Sequence, residues 1–280
     1  MHITNGLQLP DDFPRDVRVV ASDFDRTLVW TDVTLRPRTI AAMQRAHGAG
    51  VPVIVVTGRM VKSVRRALEP AGLAAPVIAY QGAVVADEDG HWLRHEPIPV
   101  ELAREIVAVL AEEGHSPNVY VDDELYVATD TPEARAYADL NRIDFHVVGP
   151  LLDWLDEPPT KLVCVGEPAV LDALEPGMKA RFGDRAHIAK SLPHFLEFAK
   201  AGVTKGAGMD FLAAHLGFTK DDTIAFGDGE NDLELVEWPD YGIAVANAHE
   251  RVKALARWVC PSAADEGVAQ VLEALLDLET

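Results

Sequence analysis

The sequence predicts an α/β protein, a mostly parallel sheet with helices on both faces, interrupted by a smaller α+β module inserted into the chain. Three observations predict it. Short valine-rich runs without charge alternate with helix-like segments near the N-terminus, the same alternation returns towards the C-terminus, and the stretch between them changes to hairpin signals. The length of 280 residues and the 48% hydrophobic content suffice for one large core, or for a core and a second module.

The first apolar run, Val17 to Ala21, precedes a helix-like stretch from Arg38 to Ala49, a second run from Val53 to Val56 and a helix from Val61 to Leu68. Strand, helix and strand in that order give parallel strands joined by right-handed crossovers. Because neither run carries a charge, both strands are expected to be covered on both faces. A hairpin signal follows, with Ala83 to Ala86 and His91 to Leu93 flanking Asp87-Glu88-Asp89-Gly90. Leu102, Ile106, Val109 and Leu110 then fall on one face of a helix, and a second short hairpin joins Val119–Val121 to Leu125–Val127 around Asp122-Asp123-Glu124. A strand from Lys161 to Val165, a helix from Ala169 to Arg181, and strands at Ala186 to Ala189 and Phe195 to Phe198 complete the insert. The core resumes with a helix from Thr204 to Leu216, strands at Thr223 to Phe226 and Gly242 to Val245, and a last helix from Val268 to Leu278. In that helix Val268, Val271, Leu272, Leu275 and Leu278 share a face. The expected division is a core of residues 1–84 and 199–280 and an insert of residues 85–198.

With 25 Lys and Arg against 45 Asp and Glu, the formal net charge is −20. Such a surface repels an extended phosphate backbone or an anionic membrane, so no nucleic-acid or membrane partner is expected. A small anionic substrate stays compatible, because a bound cation reverses the local potential. Cys164 and Cys260 lack any metal-ligand spacing and read as buried free thiols. Met1 to Pro10 has no basic start followed by an apolar stretch, and no run of about 18 apolar residues occurs, so a soluble cytoplasmic protein is expected.

Four clusters carry chemistry. Asp23-Phe24-Asp25 follows the first strand, and residues two apart on an extended segment point the same way, so both carboxylates converge beyond the strand's carboxyl end. Two such carboxylates need a cation or a shared proton. Thr57-Gly58-Arg59 ends the second strand, where a hydroxyl and an exposed backbone N–H suit a phosphate oxygen. Gly227-Asp228-Gly229-Glu230-Asn231-Asp232 ends a later strand, and its acids between glycines suit a hard cation. Lys205 opens a helix, where its ammonium serves to neutralise carboxylates and to meet a phosphate. Each alone also has a plainer reading as a solvated turn or surface group, least so the cluster from Gly227 to Asp232. Together they supply what phosphoryl transfer requires: an in-line nucleophile, a cation, donors for the equatorial oxygens and a proton source for the leaving group.

In order and context these four segments resemble the motifs of the haloacid dehalogenase-like hydrolase superfamily. The α+β insert between Thr57 and Lys205, with Ile243 to Ala248 and Asp265 to Ala269, resembles its Cof-type sugar-phosphate phosphatase branch. The resemblance implies a Rossmann-like core with an inserted cap acting as a lid, and Mg²⁺-dependent hydrolysis of a small phosphorylated metabolite. It implies Asp23 as the nucleophile that becomes an aspartyl phosphate, and Asp25 as the acid that protonates the leaving group and then activates water. Thr57, Gly58, Lys205 and Asn231 would hold the phosphoryl group. Asp23, the backbone carbonyl of Asp25 and Asp228 would bind Mg²⁺, with Asp232 supporting from just outside and Asn247 helping to orient the site. Three positions depart from the pattern: Arg26 stands where glycine is common, Gln81 where asparagine is, and Ala263-Ala264 where an asparagine and an acid are. Arg26 has two readings, a contact to substrate or a salt bridge with neighbouring acids, of which the salt bridge is the favoured expectation. A phosphomutase, or a binding protein that has lost catalysis, shares the scaffold; the intact acidic set argues against the second.

Overall fold

The computed structural model describes residues 7–277. Leu278 of the expected last helix and the first six residues of the Met1 to Pro10 segment lie outside them. Along the chain come β1 (Val19–Ser22), α1 (Pro37–Gly48), β2 (Val53–Val56), α2 (Val61–Leu68), β3 (Val77–Ala79), β4 (Val84–Ala86) and β5 (Trp92–His95). The insert supplies α3 (Val100–Glu112), β6 (Asn118–Val121), β7 (Glu124–Val127), α4 (Pro132–Asn141), β8 (Phe145–Val147), α5 (Leu151–Trp154), β9 (Lys161–Val165), α6 (Pro168–Phe182), β10 (Ala186–Leu192) and β11 (Phe195–Lys200). Then follow α7 (Lys205–Leu216), β12 (Thr223–Gly227), α8 (Leu233–Glu237), β13 (Tyr241–Val245), α9 (Glu250–Leu255), β14 (Trp258–Cys260) and α10 (Gly267–Asp277).

Two compact units result. One comprises the segment ending at Thr57, Val64–Leu93 and the chain from Thr204; the other comprises Gly58–Ser63 and Arg94–Val203. The first unit holds the parallel sheet that the sequence predicts, in the order β14-β13-β12-β1-β2-β3-β4-β5. Pairing is parallel from β14 through β3 and turns antiparallel at β4. Every residue of β1, β2, β12 and β13 is buried, as strands sandwiched between helix layers require. Ala21, Ile54, Val56, Ile78 and Ala225 meet Met209 and Leu212 of α7 and Leu235 of α8 in one core cluster. Elsewhere in this unit α1 packs on α10.

The second unit has a six-stranded sheet, β10-β11-β9-β6-β7-β8, antiparallel except where β8 joins β7. Its core sets Leu102, Ile106 and Leu110 of α3 and Leu171, Met178 and Phe182 of α6 against Val119, Leu162, Cys164, Leu196 and Phe198. Fully burying each such side chain contributes about 1.5–3 kcal/mol. Both cysteines are buried free thiols, as expected, and burial pushes Cys164 up to about 11 and Cys260 up to about 12. Three strands escape the sequence reading: β3, β8 and β14 have three residues each, too few to show a period, and exist because a neighbour pairs with them. Among the described residues no helix is long and apolar enough to cross a membrane.

Candidate active site

The site starts from strand order. β1 lies between β12 and β2 in parallel register, with Ser22 opposite Phe226 and Val55, so all three strands deliver their carboxyl ends to one edge. The Asp23 N–H donates to the Phe226 carbonyl at 2.9 Å, carrying that register one residue further. Phe24 is fully buried, and the N–H groups of Leu28 and Val29 return to its carbonyl at 3.1 and 3.0 Å, closing the loop that carries Asp23 and Asp25. Alternation thus puts the phenyl ring in the core and the aspartates at the edge.

Lys205 enters through a close approach of backbones. A Cβ on Gly82 would stand 2.0 Å from the Thr204 carbonyl oxygen, and Gly82 holds φ +101°, so glycine is required there. Thr204 caps α7 by accepting the Ala207 N–H at 3.1 Å, which fixes the first turn and Lys205 with it. The Lys205 ammonium, its side chain fully buried, donates to Asp23 Oδ1 and to Asp232 Oδ1, both at 2.5 Å. The other oxygen of Asp232 accepts the N–H groups of Asp228 and Gly229 at 2.9 and 2.8 Å. Asp232 is therefore saturated by protein donors and braces both the lysine and the turn.

Carboxylate oxygens of Asp23, Asp228 and Asp232 lie within 4.8 Å of one another, and all three residues are buried. One buried ammonium faces three buried carboxylates. Burial, then the charge of Asp232, push Asp23 well above the usual carboxyl range against the pull of Lys205. Burial, then Asp232, push Asp228 up to about 6, with Arg26 and Lys205 pulling it back. Burial would lower Lys205, but Asp23 and Asp232 outweigh it and hold the ammonium charged. Excess buried negative charge on hard oxygen donors is the chemistry that a small divalent cation satisfies, so these residues fit the expected Mg²⁺.

The remaining predicted residues lie on the segments that follow β1, β2, β12 and β13. Thr57, 1% exposed, follows β2; its N–H donates to Ile78 and its carbonyl accepts from Gln81. Gly58 follows it directly. Asn231 is exposed and its amide donates to Gln81 Oε1 at 3.3 Å. The Asp25 carboxylate is not one of the clustered three. Asn247 donates to the Arg26 carbonyl and accepts the Ala263 N–H, both at 2.8 Å, and so braces the loop after Asp25. Arg26 pairs with an acid, as expected: its Nε is 3.6 Å from Asp228 Oδ2. One contributor escapes the sequence reading, since Thr27 Oγ1 donates to Asp228 Oδ1 at 3.3 Å. The signal was there, because Asp23, Asp25 and Thr27 continue the same spacing of two.

Fold and cluster together define an α/β protein with a candidate active site at the carboxyl edge of a parallel sheet. The chain belongs to the haloacid dehalogenase-like hydrolase family, whose sequence profile matches residues 20–272. It is 30% identical to an HMP-PP phosphatase of Cronobacter sakazakii over 82% of this chain and 85% of that one. It is 27% identical to the 5-amino-6-(5-phospho-D-ribitylamino)uracil phosphatase of Bacillus subtilis, over 93% of this chain and 98% of that one. A solved structure from Thermotoga maritima superposes with TM-score 0.84 at 30% identity, covering 92% of this chain and 97% of that one. A haloacid dehalogenase-like hydrolase from Bacteroides thetaiotaomicron shares the fold, with TM-score 0.86 at 22% identity over 92% and 99% of the two chains.

Proposed function

We propose that the protein is a Mg²⁺-dependent phosphatase that hydrolyses a small phosphorylated metabolite through an aspartyl phosphate on Asp23. The observation that carries this reading is the buried Lys205 held between Asp23 and Asp232, with Asp228 completing an acidic set at the edge of the parallel sheet. Asp23, Asp228 and the backbone carbonyl of Asp25 would hold the cation, and Asp232 supports from outside because both its oxygens already have protein donors. When bound, Mg²⁺ neutralises the phosphate and the carboxylate that attacks it.

An Asp23 carboxylate oxygen attacks phosphorus as the bond to the leaving oxygen breaks, and the Asp25 carboxyl gives that oxygen its proton. Asp25, now a carboxylate, takes a proton from water as the water attacks the aspartyl phosphate, and inorganic phosphate leaves. Thr57, the N–H of Gly58, Lys205 and Asn231 bind the equatorial oxygens through both steps. The inserted module of residues 85–198 serves as a lid that excludes water from the first step.

The relatives' names, HMP-PP phosphatase and 5-amino-6-(5-phospho-D-ribitylamino)uracil phosphatase, support testing phosphorylated uracil derivatives beside sugar phosphates. The test is release of inorganic phosphate from a panel of both kinds with Mg²⁺ and with EDTA, running Asp23→Asn in parallel. Metal-dependent release that the variant loses is expected. Release by Asp23→Asn at the wild-type rate would refute the reading, and isomer formation without phosphate release would replace it with a phosphomutase.

A further inference from the structure

The boundary between the two compact units falls at the Thr57–Gly58 peptide bond. Residues 58–63 are grasped there by groups far along the chain. Lys161 Nζ, on a buried side chain, donates to the Gly58 carbonyl at 3.1 Å. Asp123 accepts the Val61 N–H on Oδ1 at 2.9 Å and the Lys62 N–H on Oδ2 at 2.7 Å, so both its oxygens serve the first turn of α2. Ser63 Oγ donates to the Asn141 carbonyl at 3.1 Å.

The first N–H groups of a helix need outside acceptors, usually from a Ser, Thr, Asp or Asn just before it. Gly58, Arg59 and Met60 stand before α2 and offer no such side chain. The helix takes its cap from a carboxylate 62 residues away, whose charge also suits the positive end of the helix.

The turn that supplies this carboxylate is itself unusual. Asp122 and Asp123 join β6 to β7 with φ of +49° and +59°. Two left-handed residues make a primed hairpin turn, in which the second position favours glycine. The chain places an aspartate there, 5% exposed, and aims it at α2. Backbone strain retained against an easier alternative points to a use for the side chain.

We propose that Asp123, seconded by Lys161, is a positioning residue for the reaction. It fixes the segment from Gly58 to Lys62 and so sets the Gly58 N–H that meets the phosphoryl group. This rests on the reading of Gly58 as a phosphate ligand.

Asp123→Gly tests it, because the change gives the hairpin the Asp-Gly pair that such a turn prefers and removes only the carboxylate. With p-nitrophenyl phosphate and Mg²⁺, kcat is expected to fall about ten- to a hundredfold and the inhibition constant of inorganic phosphate to rise at least about tenfold. Mg²⁺ half-saturation should not change. Lys161→Met, which frees the Gly58 carbonyl, should shift the same two readouts in the same direction, and keeps the idea testable should Asp123→Gly fold poorly. Glu124→Gln, which weakens the exposed ion pairs of Glu124 with Lys62 and His146 but spares the Asp123 cap, should leave both unchanged. Wild-type kcat and phosphate inhibition in folded Asp123→Gly, or in Lys161→Met where Asp123→Gly does not fold, would overturn the proposal even if melting falls. A wild-type protein that hydrolyses nothing would sink the phosphatase reading and this one with it.

Discussion

Lys205 and Asp232 form a fully buried ion pair with 2.5 Å between Nζ and Oδ1, and the same ammonium reaches Asp23. A buried charge left without its partner is far less favourable than a pair is favourable. Lys205→Met strands two carboxylates at once. With EDTA at about pH 8, chemical denaturation of this variant should show about 3 kcal/mol less stability than wild type. The deficit should shrink at about pH 5.5, where the Asp23 carboxyl, raised by burial, takes up a proton and no longer needs the ammonium. An equal deficit at both pH values would show that the ion pair is not its origin.

The raised carboxyls fix the sign of the metal response. Asp228 stands at about 6 and Asp23 above its ordinary range, so between the unfolded carboxyl value and about pH 6 the folded state holds protons that the unfolded state has lost. Without metal, the contribution of this cluster therefore declines as pH rises through that window. A cation that binds only the ionised form reverses the trend. Mg²⁺ should raise the melting temperature more at about pH 8 than at about pH 5.5, and Asp228→Asn should abolish most of the difference. Equal shifts at both pH values would rule out these carboxylates as the site.

Gly82 is the hinge point on which Lys205 depends. Alanine there meets the Thr204 carbonyl at 2.0 Å and must hold φ +101°. Left-handed strain and overpacking together predict a loss of about 2–4 kcal/mol for Gly82→Ala. Because the displaced atom belongs to the residue before Lys205, kcat should fall by more than about tenfold even well below the melting temperature. Full activity per folded molecule would show that α7 absorbs the clash without moving the lysine.

How much of this was legible in the sequence follows from the range of each interaction. Asp23 and Asp25 announce themselves through a spacing of two at a strand end, Lys205 through its place at a helix start, and Asp228 and Asp232 through glycines that make a turn. Those are local patterns. The three-residue strands β3, β8 and β14 are not local, since pairing alone stabilises them. Gln81 and Arg26 read as departures from a family pattern, yet both have left-handed backbones, at φ +59° and +60°. The common residues there, asparagine and glycine, are those that tolerate this conformation best, so the departures are first a matter of backbone strain. The cap that Asp123 lends to α2 spans 62 residues and had no local sign beyond an acidic hairpin turn.

Arg26 offers the last prediction, because two opposing effects can be weighed. Arg26→Gly relieves a left-handed arginine, a gain of about 1 kcal/mol, and enlarges the freedom of the unfolded chain, a loss of about the same size. The ion pair lost with Asp228 is 3.6 Å long and the arginine side chain is 51% exposed, so solvent screening leaves it worth less than about 1 kcal/mol. Stability should therefore stay within about 1 kcal/mol of wild type. Removing a positive charge beside Asp228 also removes a competitor for the cation, so half-saturation by Mg²⁺ at about pH 8 should shift two- to threefold towards tighter binding. Turnover of p-nitrophenyl phosphate should stay within about tenfold. A loss of a hundredfold or more, with stability unchanged, would instead make Arg26 a substrate contact.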